Sequence, residues 1–191
     1  MIRLVLFASG SGTNAENITR FFEKYRDIKI VGICSNNPHA VVLERAKKLG
    51  VPSFIFNRHD FYKTDQVLDH LRSCRAEWII LAGFLWLVPD NLLTGYPDRI
   101  INIHPALLPK YGGKGMYGDR VHKAVIESGD EESGITIHFV NSEYDSGDII
   151  FQARCPVMPG DTAESLAHRV HELEYEYYPK VIEELVRGKR L

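Results

Sequence analysis

The sequence predicts an α/β protein: a doubly wound, mostly parallel sheet, then a C-terminal antiparallel hairpin and a final long helix. Three observations predict it. Over about the first hundred residues, short apolar runs alternate with segments of helical spacing, the pattern of strands joined by crossover helices. Those runs are apolar at successive positions, as strands covered on both faces must be. Beyond them a Pro/Gly-rich loop leads into an alternating segment, a second apolar run and a helical tail.

Taken in order, Ile2 to Ala8 is an apolar run ending in Ser9-Gly10-Ser11-Gly12, a buried strand feeding a tight turn. Asn14 to Tyr25 has helical spacing, with Ile18, Phe21 and Phe22 on one face. Ile28 to Cys34 is the second strand. Asn37-Pro38 reads as a helix start with Pro at the first helical position. Val41, Val42, Ala46 and Leu49 supply that helix's apolar face, and Gly50 stops it. Ser53 to Phe56 is a short strand. Asp60 is placed to cap the next helix, which turns Phe61, Val67, Leu68 and Leu71 inward. Trp78 to Ala82 and Ile100 to Ile103 are further strands, with a helical turn between Pro89 and Pro97. Pro105 to Gly118, with two Pro and four Gly, is a long loop of the kind that often serves function. Arg120 to Ser128 is a short helix ended by Gly129. Gly134 to Val140 and Ile149 to Val157 pair antiparallel across Asn141 to Asp148. Asp161-Thr162 caps the last helix, with Leu166, Val170 and Leu173 inward and Pro179 placed to kink it.

The 191 residues, 45% apolar and 25% charged, suffice to bury a core unaided and read as one domain. A formal net charge of -2 argues against the strongly basic face of a nucleic-acid binder. The densest basic cluster, Arg187, Lys189 and Arg190, reads as a solvated helix end. Cys34, Cys74 and Cys155 are an odd, widely spaced set, which argues against a zinc ribbon or a disulfide framework and for a reducing compartment. The N-terminal run is too short to span a membrane, and a strand beginning at Ile2 predicts a cytoplasmic protein without a targeting segment. His168 and His171 stand three apart without a third ligand, so no metal is expected.

Three places can carry chemistry. Ser9-Gly10-Ser11-Gly12-Thr13-Asn14 joins a strand to a helix and presents backbone N–H groups at a helix N-terminus, which suits a phosphate. A ligand-free turn is the alternative. The turn is no Walker A loop, and Ala15 takes the third glycine position of a dinucleotide fingerprint, a substitution that fingerprint tolerates. In Asn102-Ile103-His104-Pro105, the alternation sends Ile101 and Ile103 one way and Asn102 and His104 the other, at the C-terminal end of a strand. An amide donor beside an imidazole can hold a developing oxyanion and exchange a proton; a polar pair that merely ends the strand is the alternative. Asp145, in Glu143-Tyr144-Asp145-Ser146-Gly147-Asp148, is by itself one acid in a turn. Folded back against the Asn102 strand, it could stabilise an imidazolium. His138 reads as a satisfied strand residue.

These segments occur together in the order Ser9-Gly10-Ser11-Gly12-Thr13-Asn14, Ala82-Gly83-Phe84-Leu85, Asn102-Ile103-His104-Pro105-Ala106-Leu107-Leu108-Pro109, Asp145-Ser146-Gly147. In this the chain resembles the glycinamide ribonucleotide (phosphoribosylglycinamide) formyltransferases, folate-dependent enzymes of de novo purine synthesis, over nearly its whole length. The resemblance implies a Rossmann-like formyltransferase fold in a single domain, residues 1–191, with a nucleotide-binding half (1–103) and a folate-binding half with the C-terminal helix (104–191). It implies small-molecule substrates, glycinamide ribonucleotide and 10-formyltetrahydrofolate as co-substrate, with no metal, nucleic acid or membrane, in a monomer or homodimer. It implies that Asn102 and protonated His104 bind the tetrahedral intermediate's oxygen while Asp145 raises the imidazolium population and helps relay the proton. Gly12, Thr13 and Asn14 would hold the substrate phosphate and Glu174 the ribose hydroxyls. The folate would lie near Leu85, Trp86, Leu87 and Val88, Asn102, and the Asn141 to Asp145 loop. Trp86 departs from the Arg common there in the family. Lys110 to Gly118 departs by its length and glycine content, and a mobile cover over the active site is one role for it.

Other classes weigh less. A formyltetrahydrofolate deformylase shares the Asn, His and Asp set but usually carries an N-terminal regulatory domain. A methionyl-tRNA formyltransferase usually carries an added C-terminal domain and needs a basic surface. A nicotinamide oxidoreductase wants an acid after the second strand, where Cys34-Ser35-Asn36-Asn37 offers none. A non-catalytic nucleotide-binding module has no reason to gather Asn102, His104 and Asp145.

Overall fold

The computed structural model describes residues 1–188. The chain forms two compact units, Met1–Ile101 and Asn102–Leu191. In the first, strands β1 (Ile2–Phe7), β2 (Ile28–Ser35), β3 (Ser53–Ile55) and β4 (Trp78–Leu81) run parallel, with β1 between β2 and β4 and β3 outside β2. Leu4, Val5 and Leu6 are all fully buried, so β1 is covered on both faces and its near-continuous apolar run is explained. Helices α1 (Thr13–Phe22), α2 (Val41–Lys48), α3 (Arg58–Lys63), α4 (Gln66–Ser73) and α5 (Asp90–Gly95) fill the connections.

Two helix starts differ from expectation. Helix α2 begins at Val41, not at Pro38. The Asn37 side chain accepts from His39 N–H at 2.9 Å and its carbonyl from Ala40 N–H at 3.1 Å, a local turn that competes with helix. Val41 therefore stays exposed while Val42 and Ala46 are buried. Asn57, not Asp60, caps α3: its Oδ1 accepts from Asp60 N–H at 3.0 Å, and Asp60 fills the third position of a capping box. The chain then turns extended at Thr64, so one expected helix becomes two, α3 and α4. Phe61, Val67, Leu68 and Leu71 still all point into the core.

The second unit takes the end of β5 (Ile100–His104), helix α6 (Asp119–Ser128), strands β6 (Glu132–Phe139) and β7 (Ile149–Pro156), and helix α7 (Ala163–Val186). Gly129 ends α6 in the left-handed conformation, φ 72°. Strands β6 and β7 pair antiparallel, Thr136 opposite Gln152 and Ile137 opposite Phe151. Strand β6 starts two residues earlier than expected, and its alternation does not separate core from solvent: Ser133, Thr136 and His138 are as buried as Ile135 and Ile137. Thr162 caps α7 in a box with Ser165. The buried stripe of α7 runs through Leu166, Val170, Glu174, Tyr178 and Ile182, so it passes through Glu174 and leaves Leu173 half-exposed. Helix α7 continues through Pro179 as one 24-residue element. Of the basic cluster at its end, Arg187 pairs with Glu183, while Lys189 and Arg190 lie outside the described residues.

The sheet order is β3-β2-β1-β4-β5-β6-β7, the mixed doubly wound sheet that the strand–helix alternation predicts. Among the described residues no helix is long and apolar enough to cross a membrane.

Candidate active site

In the first unit, the glycine turn is shaped by close packing. Gly12 has φ +71°, and a Cβ there would lie 2.2 Å from the Val42 side chain. Only glycine meets both demands. Helix α1 has no side-chain cap, and its first backbone bond runs from Glu16 N–H to Gly12 O at 2.9 Å. An N-terminus without a side-chain cap is the kind of helix start that suits an anion.

The 85–88 segment is tied to this turn by Leu85 N–H, which donates to Ser9 Oγ at 3.0 Å. Leu85 is exposed and Val88 is buried. Trp86 is half-buried among Phe56, Phe61 and Tyr62, with ring centroids 5.7–6.2 Å away, and the Arg58 guanidinium lies 5.7 Å over its ring. The indole thus anchors the segment onto α3.

In the second unit, β5 delivers Asn102 half-buried and His104 at 3% exposure, while Ile101 and Ile103 enter the core. The hairpin connection brings Asp145 to them. Its Oδ2 lies 3.5 Å from His104 Nδ1 and its Oδ1 lies 3.7 Å from His138 Nε2. Asp145 holds φ 52°, a conformation that Asp tolerates better than most residues. Asn141 shapes the loop that presents it, accepting at Oδ1 from Glu143 N–H at 3.0 Å and from Ser146 Oγ at 2.9 Å.

His138 is the residue that sequence reasoning missed. Its Nδ1 lies 2.8 Å from the Phe139 carbonyl and its Nε2 lies 3.2 Å from Asn102 Nδ2. A carbonyl can only accept, so Nδ1 carries a proton, while Nε2 lies between the Asn102 amide and Asp145 Oδ1. His138 thereby orients Asn102. The signal was present: Thr136 and His138 are two polar residues on one face, alternating with Ile135, Ile137 and Phe139.

The Pro105 to Gly118 loop also enters the site. His104 Nε2 donates to the Tyr111 carbonyl at 2.8 Å, and Gly113 N–H donates to Asp145 Oδ2 at 2.9 Å. Thr136 Oγ1 holds the start of the loop, donating to Ala106 O at 2.7 Å and accepting from Leu108 N–H at 2.9 Å. Glu174, 4% exposed, accepts from His171 Nδ1 at 2.7 Å. That bond raises the His171 pKa. Among the described residues no group of three or more His, Cys, Asp or Glu is placed to hold a metal.

Burial pulls the His104 pKa below the ordinary imidazole range; the Asp145 charge and the Tyr111 carbonyl push it up but do not outweigh burial. Burial alone would raise the Asp145 carboxyl, but His138, His104 and the Gly113 N–H outweigh it and hold that carboxyl low. Asp145 therefore acts on His104 in the expected direction, against the larger effect of burial.

The formyl transferase family model matches residues 2–182. The chain belongs to the formyl transferase family. Among relatives, the chloroplastic phosphoribosylglycinamide formyltransferase of Arabidopsis thaliana is 41% identical over 189 residues, covering 94% of this chain and 64% of that protein. The phosphoribosylglycinamide formyltransferase of Haemophilus influenzae is 37% identical over 195 residues, covering 99% of this chain and 89% of that protein. The crystal structure of glycinamide ribonucleotide transformylase 1 from Symbiobacterium toebii superposes with a TM-score of 0.89 at 34% identity, covering 98% of this chain and 89% of that one. The chain spans under two thirds of the two plant relatives' lengths, 64% for Arabidopsis and 60% for Vigna unguiculata.

The contact of Asp145 with His104 leads to an expected pH dependence whose sign follows from the shifts above. If neutral His104 is the working form, kcat/KM rises with pH through its lowered pKa. Asp145→Asn removes the charge that holds that pKa up. The acid limb of the kcat/KM profile is therefore expected to move to still lower pH while the plateau falls. A limb that moves to higher pH, measured at constant ionic strength, contradicts the assignment.

Proposed function

We propose that this formyl transferase transfers the formyl group of 10-formyltetrahydrofolate to the amine of glycinamide ribonucleotide, giving formylglycinamide ribonucleotide and tetrahydrofolate in de novo purine synthesis. The observation that carries the reading is the convergence of Asn102, His104 and Asp145 at the end of β5, in a chain of this family. The names of its relatives support the substrates.

In this reading the substrate amine attacks the formyl carbon and the carbonyl oxygen becomes an oxyanion, held by Asn102 Nδ2 and His104. With the Tyr111 carbonyl gone, the single proton of neutral His104 sits on Nδ1, towards Asp145, so Nε2 takes the amine proton and the resulting imidazolium is stabilised by Asp145. The proton then goes to N10 of the folate as the carbon–nitrogen bond breaks, so proton and electron pair balance. Nε2 of His104 faces this chemistry once the Tyr111 carbonyl gives way, which makes Lys110 to Gly118 a cover that withdraws to admit substrate.

Backbone amides of Gly12, Thr13 and Asn14 hold the phosphate, and Glu174 the ribose hydroxyls. Leu85, Trp86, Leu87 and Val88, with Asn141, border the folate. Residues 1–103 serve as the nucleotide half and 104–191 as the folate half of one domain. The three free thiols, two of them buried, support work in the reducing cytoplasm.

The test is an absorbance assay for tetrahydrofolate formation, run with and without glycinamide ribonucleotide. Product only in its presence is expected. Product formed equally in its absence identifies a hydrolase and overturns the proposal.

A further inference from the structure

One side chain outside the reacting set bears on the glycine turn, and the argument from it rests on the phosphate reading of that turn. Two hydrogen bonds from α2 take the turn's carbonyls. Val42 N–H donates to Gly10 O at 3.1 Å, and Arg45 Nε donates to Ser11 O at 2.8 Å, across 34 residues of sequence. In a trans peptide the C=O and the N–H that follows it point in opposite directions. With the Gly10 and Ser11 carbonyls turned onto α2, the N–H groups of Ser11 and Gly12 are turned away from it. Gly12 itself is pressed onto α2, with Val42 Cα only 2.9 Å from where a Cβ would stand, so this peptide has little room to flip.

Arg45 is in turn held from the other side. Its guanidinium pairs with Glu16 in the first turn of α1, and Glu16 also takes Arg20 at 2.8 Å. The Arg45 side chain is about one third exposed, 32%, so it is seated rather than free in solvent. It therefore ties together three segments: α2, the glycine turn, and the helix start that the turn feeds. These bonds point its donors at a carbonyl and a carboxylate.

We infer that Arg45 is a positioning residue for anion recognition: it fixes the Ser11–Gly12 peptide so that the Gly12 amide, beside the Ser11 amide that Val42 N–H orients through the Gly10 carbonyl, joins those of Thr13 and Asn14 in holding the substrate phosphate. Its contribution is orientation, not a direct ion pair. The inference adds Ser11 N–H to the anion's donors and gives a role to a residue of α2 that no motif marks.

The experiment assays Arg45→Gln and Arg45→Lys with glycinamide ribonucleotide and with the same amine lacking its phosphate. Losing a charge-assisted bond that holds a binding peptide is expected to raise KM for the phosphorylated amine about tenfold. The turnover number and the KM for the folate should change by less than about twofold, and rates with the dephosphorylated amine should equal wild type. Arg45→Lys keeps the charge beside Glu16 but lacks the Nε donor, so it should behave as Arg45→Gln does. Wild-type KM in Arg45→Lys, or equal losses on both amines, overturns the inference, the latter because it marks a general structural role. Thermal melts accompany both variants, and failure of both to fold also overturns it. A wild-type enzyme with no preference for the phosphorylated amine defeats the phosphate reading itself. A clear wild-type preference that both variants keep defeats the role of Arg45 alone.

Discussion

Replacing His104 with Ala is expected to lower kcat by two to four orders of magnitude, about the contribution of a positioned general acid–base group. The residue stands at a junction that no neighbour duplicates. Its Nδ1 faces Asp145 at 3.5 Å, its Nε2 meets the Tyr111 carbonyl at 2.8 Å, and the residue is 3% exposed. His138 lies near the same carboxylate, but its Nδ1 is committed to the Phe139 carbonyl and its Nε2 to Asn102, so it cannot carry the proton instead. The KM for the phosphorylated amine is expected to change little, because His104 acts at the reacting atoms and not at the phosphate. Steady-state kinetics beside a thermal melt decide this. A correctly folded His104→Ala enzyme within tenfold of wild-type turnover would remove His104 from the proton path.

The second large effect is structural in origin. In Gly147→Ala the new Cβ would stand 1.8 Å from the Phe139 carbonyl oxygen and 2.7 Å from its carbon. Both are backbone atoms of β6 and cannot rotate aside, so the Asn141 to Asp148 connection must open. That connection carries Asp145. A shift on the order of 1 Å there separates it from His104 and His138, and misplacement of that size costs about a hundredfold in rate. Overpacking of this kind also destabilises by about 1–3 kcal/mol. Gly160→Ala is the control: φ is +83° but no atom lies within 4 Å of its Cβ. Backbone strain alone should cost that variant about 1 kcal/mol and leave kcat/KM unchanged. Full activity in Gly147→Ala would mean that the tight turn does not set the position of Asp145.

The amino-acid sequence by itself determined the parts of this protein that depend on local rules. Buried parallel strands must be apolar on both faces, so β1, β2 and β4 were legible as runs. Gly12 was legible as part of a tight strand-to-helix turn, because glycine alone takes its left-handed backbone without strain. Asn102 and His104 were legible as a pair because side chains two apart on a strand share a face. Local competition misled twice: an Asx turn at Asn37 delayed α2, and Asn57 outbid Asp60 for a cap. Tertiary structure alone decided the rest. Asp145 and His138 come from a hairpin more than thirty residues downstream of His104, and no periodicity encodes which turn folds onto which strand end. It also decided how burial and the Asp145 carboxylate oppose each other at His104, since only the folded geometry sets both. The pairing of Arg45 with Ser11 belongs to the same class. A hydrogen bond between residues far apart in sequence exists only once the sheet has brought their helices together.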